Sequence, residues 1–560
     1  MLSVQPLRRG VAALCCAATV LSLSACSTAA DSDAEGEGTP GGPGSMEHFG
    51  YQVATQLVST NAGSAFGAAA NAQVLATRLY PAAFVPGPEG QIIPNTDLVR
   101  AQEVEPTAQG LRQIRYEISP DATFSDGVAL TCDDFVLAYT AGSMPAIFGS
   151  SMPLLASDVE DVQCASGAKD FTVVLKQDRG GRWRHMFGAG SILPSHAIAR
   201  KVEMEPEELL AALRTWDPAT VEPIAQVWRY GFLLEEFDPQ LQVSYGPFVI
   251  EQVGASGEVV LTRNPHYHGD AAALDKLVVW PVSADSRELA ASGALRVAEA
   301  PAAPPAWLDR DAADNPFDVV STVGELSDTL TLSEEGLFAQ PELRRAFAAC
   351  VDQAEVAKAS SAHAGVEVPA TYLHTLAHND PIARRLSGIA DAHRGVDAAA
   401  AAPLQGSTVR IGYLGPNPRL AAMVEAIRST CDPLGIQIED ASAEFMSKVY
   451  LESDPETGLP TVDAFLGAVD PMTEYSTADA RIALLDELKK TENELWESVP
   501  AIPLSAQPRT FVYDRNVANV VAYTGVSGIG WNMDRWREGP AGTPVSSQAP
   551  SAQSAPARSQ

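Results

Sequence analysis

The chain has 560 residues, with a hydrophobic content of 46% and a charged content of 19%. That is room for about three domains with cores of their own and too much apolar material for a globally disordered chain. A formal net charge of −32 excludes a nucleic-acid partner, because phosphates would be repelled, and disfavours docking on bare anionic lipid.

Arg8 and Arg9 precede the apolar run Val11–Leu21, and Leu23-Ser24-Ala25-Cys26 follows. Basic, apolar, then small residues is the order of a secretory signal peptide. The tetrapeptide matches the bacterial lipobox, which predicts cleavage before Cys26 and a diacylglycerol thioether on its sulfur. Two acyl chains suffice for stable anchoring, and the apolar run is short for a membrane span. The expected location is therefore the outer face of the cytoplasmic membrane, in the cell envelope, with membrane lipid as the first partner. Residues 27–46 are small, acidic and rich in Gly and Pro, and read as a flexible tether. Residues 541–560 read as a disordered tail.

In the mature part, Leu111–Ile118 alternates like a strand, and Asp121, Ser125, Asp126 and Gly127 supply turn chemistry. Thr131-Cys132-Asp133-Asp134 is an N-cap signal, with acids over the positive helix end, and Phe135, Val136 and Tyr139 start the helical stripe. Residues 170–176 form a strand. Leu209, Leu210, Leu213 and Trp216 sit at helical spacing. Tyr245–Ile250 and Val259–Arg263 read as an antiparallel pair, Asn264-Pro265 as a turn, and Leu277–Val282 as another strand. Pro341 suits a first helical turn, and Leu343, Phe347, Cys350, Val351 and Ala354 mark one helical face. Residues 386–408 are Ala-rich and read as a surface excursion. Val409–Tyr413 is a strand, followed by a helix through Leu420, Val424 and Ile427. A further helix is expected to begin near Thr477. Strands mixed with helices throughout predict an α/β or α+β protein.

No G-x-S-x-G, Walker loop or well-placed G-x-G-x-x-G occurs, so no nucleophile elbow or phosphate loop is expected, and the chain is not read as an enzyme. His374 and His378 lack the glutamate of H-E-x-x-H, and His266 and His268 sit in the Asn-Pro turn. Neither pair predicts a metal, and no cofactor is implied. Four cysteines remain beyond Cys26, namely Cys132, Cys164, Cys350 and Cys431. An even number in an exported chain predicts disulfides, with three pairings possible.

Six collinear segments carry a resemblance. They are Phe124–Gly127 with Thr131–Val136, Ile192–His196, Tyr245–Phe248, Arg263–Tyr267, Leu343–Phe347 with Val351-Asp352, and Pro500–Leu504. Together they resemble the family 5 extracellular solute-binding proteins, the dipeptide and oligopeptide class of ABC importers. Arg410–Tyr413, Pro416–Ala422 and Gly530–Trp536 add a resemblance to LpqW-type lipoproteins of mycobacteria and corynebacteria. That subgroup is tied to control of envelope lipomannan and lipoarabinomannan mannosylation.

The family resemblance implies a periplasmic-binding-protein fold of type II, with two lobes around a cleft and an extra small domain (cluster C type). Mapped here, domain I is 47–90, 190–300 and 510–540, domain II is 91–189, and domain III is 301–509. The pairing Cys132–Cys164 with Cys350–Cys431 then keeps each disulfide within one domain, and we favour it. Asp470 is the carboxylate expected to meet a ligand amino group, with Tyr413, Tyr475 and Trp531 as aromatic cleft residues. Only Glu474 to Val499 separates Asp470-Pro471 from the Pro500–Leu504 motif, a shorter wall than the family pattern. The implied roles are regulation of lipoglycan mannosylation through an envelope mannosyltransferase or, alternatively, delivery of a peptide-like solute to an ABC permease.

Overall fold

The computed structural model describes residues 49–539, apart from 88–90, 302, 455–456, 476, 478–479 and the side chains of 480–484. The signal segment, Cys26, the tether and residues 541–560 lie outside the described residues. A ten-stranded sheet runs in the order Gln437–Asp440, Thr408–Gly412, Ala464–Val469, Phe317–Leu332, Ala501–Asp514, Leu295–Ala300, Phe49–Gln52, Lys276–Trp280, Val259–Arg263, Phe248–Val253. Phe49–Gln52 lies parallel to both neighbours and is buried at every position, as an interior strand covered on two faces should be. A second, four-stranded antiparallel sheet has the order Val99–Val104, Gln113–Ile118, Asp170–Leu175, Val159–Gln163. Ile114, Tyr116 and Ile118 alternate inward along its second strand, and Tyr116 stacks on Phe171 at 4.9 Å.

The segments that carry the resemblance meet in space. Thr131 caps the helix Cys132–Ser143 in a capping box with Asp134, which satisfies two otherwise orphaned amides. The other oxygen of Asp134 accepts from the Ser195 amide at 2.8 Å and its hydroxyl at 2.7 Å. Asp126 meets His196 at 3.0 Å. The Ser125 hydroxyl accepts from the Ser244 amide at 3.0 Å, and Asn264 Nδ2 donates to Gly246 O at 2.8 Å. These side chains therefore lock turns to one another across the fold.

Two large apolar cores result. One gathers the four-stranded sheet, the strands from Phe49 to Val297 and the C-terminal Met533 and Trp536. The other gathers Leu330, Phe347, Val409, Ile411, Met423, Ile427, Leu466 and Ile502. Each holds one disulfide: Cys132–Cys164 in the first and Cys350–Cys431 in the second, with Cα separations of 5.8 and 4.9 Å. These are the pairs favoured above.

The two longest strands connect the cores. Phe317–Leu332 and Ala501–Asp514 pair antiparallel from Phe317↔Asp514 to Thr331↔Ala501, with the register slipping between Val323 and Ser327 and again between Asp328 and Thr329. Pro503 and Pro508 stand opposite these slips. A proline has no amide for the ladder, so it belongs where pairing is interrupted, and the irregularity re-aims neighbouring side chains.

Several local expectations change. The stripe from Leu343 to Ala354 is two helices, Pro341–Ala348 and Gln353–Ala364, because Asp352 caps the second by accepting from the Ala354 amide at 2.9 Å. Trp216 lies beyond the helix Pro206–Leu213, 42% exposed and with φ of 54°. The stretch 386–408 contains short helices that bury Leu386, Ala390, Ala401 and Leu404, so it is packed rather than a bare excursion. The last long helix is Ala480–Ser498.

Candidate functional site

A cavity of about 250 Å³ is walled by residues from both sides of the slipped ladder. One wall is built of small residues, including Ala62, Ala65, Gly67, Ala68 and Ala72. The short helix Ala65–Ala69 starts on Ser64, whose Oγ accepts from the Gly67 amide at 3.0 Å. A Cβ on Gly67 would fall 1.9 Å from Asn61 O. Only glycine allows this helix to pack so close to the preceding turn.

The floor carries buried ion pairs. Arg419 is the second residue of the helix Pro418–Cys431, where Asn417 Oδ1 accepts from the Arg419 and Leu420 amides at 3.1 Å each. A cation there opposes the helix dipole, so its placement needs another cause. That cause is Asp328, at the register slip: Nη1 reaches Oδ2 at 2.5 Å and Nη2 reaches Oδ1 at 3.1 Å, both side chains being buried. Nη1 also donates to Ser360 Oγ at 3.1 Å. Arg509 pairs with Glu299, both likewise buried, and donates to Gln507 Oε1 at 3.2 Å. Burial holds the Glu299 carboxyl above the usual range, with Arg509 pulling it back.

The third wall is the turn 470–475. Asp470 caps the single turn Pro471–Glu474, its Oδ1 accepting from the Met472 amide at 2.9 Å. Glu474 is paired with Lys448 at 2.6 Å. Asp470 keeps some exposure to the cavity, yet protein surrounds it closely and burial pushes its pKa up to about 6. The Met472 amide and the Arg182 charge oppose that rise, while Glu325 and Glu474 add to it. Among the described residues lining the cavity, Asp470 is thus a carboxylate with no cation in contact. A ligand ammonium group placed there would restore its charge balance.

Of the four residues expected in the cleft, only Asp470 lines this cavity. The Tyr413 ring is buried in the second core and its hydroxyl donates to Asp440 Oδ2 at 2.8 Å. Tyr475 offers its backbone carbonyl to Arg182 and turns its ring edge-on to His374, at 5.6 Å. Trp531 donates from Nε1 to Val521 O at 2.9 Å and sits beside Tyr523. The residues that sequence reasoning passed over are Asp328, Glu299, Arg419, Arg509, Lys448 and Glu474. One signal was available: Asn417-Pro418-Arg419 reads as a cap and a helix start with a cation where an acid is normal.

The family description "Bacterial extracellular solute-binding proteins, family 5 Middle" matches residues 101–457. An uncharacterized lipoprotein of Mycobacterium tuberculosis is 30% identical over 530 residues, covering 87% of this chain and 92% of the relative. Among solved structures, the oligopeptide-binding protein AppA from Bacillus subtilis, in complex with a nonapeptide, matches with a TM-score of 0.60 at 14% identity. The match covers 88% of this chain and 99% of AppA. The binding protein AgaA of A. tumefaciens R10, in complex with agropinic acid, gives a TM-score of 0.63 at 14% identity, covering 88% of this chain and 98% of AgaA. These likenesses establish a type II periplasmic-binding-protein fold of mixed α/β architecture. The chain belongs to the bacterial extracellular solute-binding proteins of family 5.

Proposed function

We propose that the protein is a solute receptor held at the outer face of the cytoplasmic membrane through Cys26. It takes a peptide-like solute with a free ammonium group into the cavity and presents it to an ABC permease. In this reading, segments 47–90, 190–300 and 510–540 form one lobe, 91–189 form a domain beside it, and 301–509 form the facing lobe. The observation that carries it is Asp470, a carboxylate at the cavity wall with its charge uncompensated by contact. The neighbours' ligands, a nonapeptide in AppA and agropinic acid in AgaA, support an organic solute. The test is native mass spectrometry of the soluble chain after incubation with a mixed peptide library. Retained peptides with free amino termini are the expected result, and a ligand-free spectrum across the library overturns the reading.

A second reading has one observation in its favour. Between Asp470 and the strand Ala501–Asp514 the described elements are the turn Pro471–Glu474 and the helix Ala480–Ser498, little chain from which to build a cleft wall. In that reading the fold acts as an interaction module that tunes an envelope mannosyltransferase. A deletion strain with truncated lipomannan and lipoarabinomannan, restored by the gene, is the result that supports it. An unchanged profile leaves the receptor reading alone.

A further inference from the structure

We propose that Arg182 is the positioning residue that bolts the four-stranded-sheet side of the molecule to the solute-cavity turn 470–475. Arg182 follows the strand Asp170–Leu175, and its neighbour Trp183 is packed in the first core. Its guanidinium crosses to the other side. Nη1 donates to Pro471 O at 2.6 Å and Tyr475 O at 2.9 Å, and Nη2 donates to Thr375 O at 2.9 Å. The Gly181 amide adds a bond to Thr477 O at 3.1 Å. The side chain is 6% exposed.

Two features single this contact out. A buried guanidinium whose hydrogen bonds run to three backbone carbonyls is costly to desolvate, and burial lowers its pKa. The charges of Asp470, Glu492, Asp158 and Asp380 favour its charged form, and the planar guanidinium presents its donors in a fixed fork whose geometry and reach an ammonium does not reproduce. The acceptors are themselves fixed. Thr375 donates from its amide and its hydroxyl to Glu492 Oε1, both at 2.7 Å, and Glu492 is paired with the buried His374 at 3.1 Å. The turn that Arg182 grips supplies Asp470, Thr473 and Glu474 to the cavity. The contact between the two sides and the placing of the cavity carboxylate therefore share the Arg182 side chain. The inference does not depend on which solute binds, and its test uses none.

The experiment compares the full soluble chain with Arg182→Met, Arg182→Lys and the exposed neighbour Arg184→Met. Amide hydrogen exchange is read at Gly181 and across 471–477, with strand 501–514 as internal reference. Arg182→Met and Arg182→Lys should each exchange at least about tenfold faster in those two segments, a local opening, with the reference strand and Arg184→Met unchanged. A second readout is the midpoint of the pH dependence of melting temperature that disappears on adding Asp470→Asn. Arg182→Met should move it upward, because a positive charge near Asp470 is lost, and Arg182→Lys should move it less. Parental exchange in both Arg182 variants, or an unmoved midpoint in Arg182→Met, overturns the proposal. Loss of protection throughout Arg182→Met passes the decision to Arg182→Lys, where absence of the local acceleration is equally fatal.

Discussion

Asp470→Asn should stabilise the protein at neutral pH and leave it unchanged in acid. Burial pushes the folded carboxyl up to about 6 from an ordinary value of 3.8. An acid with a raised folded pKa binds more protons folded than unfolded between these values, so stability falls as pH rises from about 4 to about 6. Below that window the cost is absent, and above it the cost is complete. At about 1.4 kcal/mol per unit, the full cost is on the order of 2–3 kcal/mol. Asparagine removes the charge but keeps an oxygen for the Met472 amide, and Asn caps as well as Asp, so the cap is not lost with the charge. Differential scanning calorimetry at pH 4 and pH 7.5 decides. The expected result is equal melting temperatures at pH 4 and a variant about 2–3 °C higher at pH 7.5, since a chain of this length shifts by about 1 °C per kcal/mol. A variant less stable at pH 7.5, or a gap of the same size at both pH values, would refute the reasoning. A carboxylate kept at a cost to stability is what a binding residue looks like before its ligand arrives.

Asp328→Leu alone should destabilise by about 3–5 kcal/mol, since it leaves Arg419 buried and unpaired; adding Arg419→Met should recover most of that loss in urea titrations. Gly67→Ala should cost more than about 1 kcal/mol through the clash with Asn61 O, seen as a lower urea midpoint. The intact mass of the folded chain should fall short of its reduced mass by about four hydrogens, one pair per disulfide. Removing either disulfide should cost about 4 kcal/mol, from closed loops of 32 and 81 residues in the chain-entropy account.

The fold was legible in the sequence where short-range chemistry decides. The Thr131 cap, the ladder Phe248–Val253 with Val259–Arg263 and the strand Thr408–Gly412 follow from patterns a few residues long. The segments that carry the resemblance hold Asp134, Ser125 and Asn264, whose side chains join distant turns. The helix break at Asp352 was hidden, since the apolar spacing runs on through it while the carboxylate restarts the helix. At the cavity, Asp470 stands beside a proline in a recognisable motif and could be found. Asp328, Arg419, Arg509 and Glu299 come from three strands and a helix far apart in the chain, and Asp328 stands at a register slip. No local pattern encodes that meeting. Aromatic residues attract attention as ligand contacts, yet Tyr413, Tyr475 and Trp531 are each committed to protein partners.

The central claim is that Asp470 receives a solute ammonium group. Its most direct test is the melting temperature of the soluble chain and of Asp470→Asn, each with a library of short peptides and with the same peptides N-acetylated. Ligand at about 100 times its dissociation constant stabilises by about 2.7 kcal/mol, a shift of about 2–3 °C for a chain of this length. Free-amine peptides should shift the parent chain alone. Equal shifts with acetylated peptides or with the Asn variant, or no shift with any peptide, would contradict the claim.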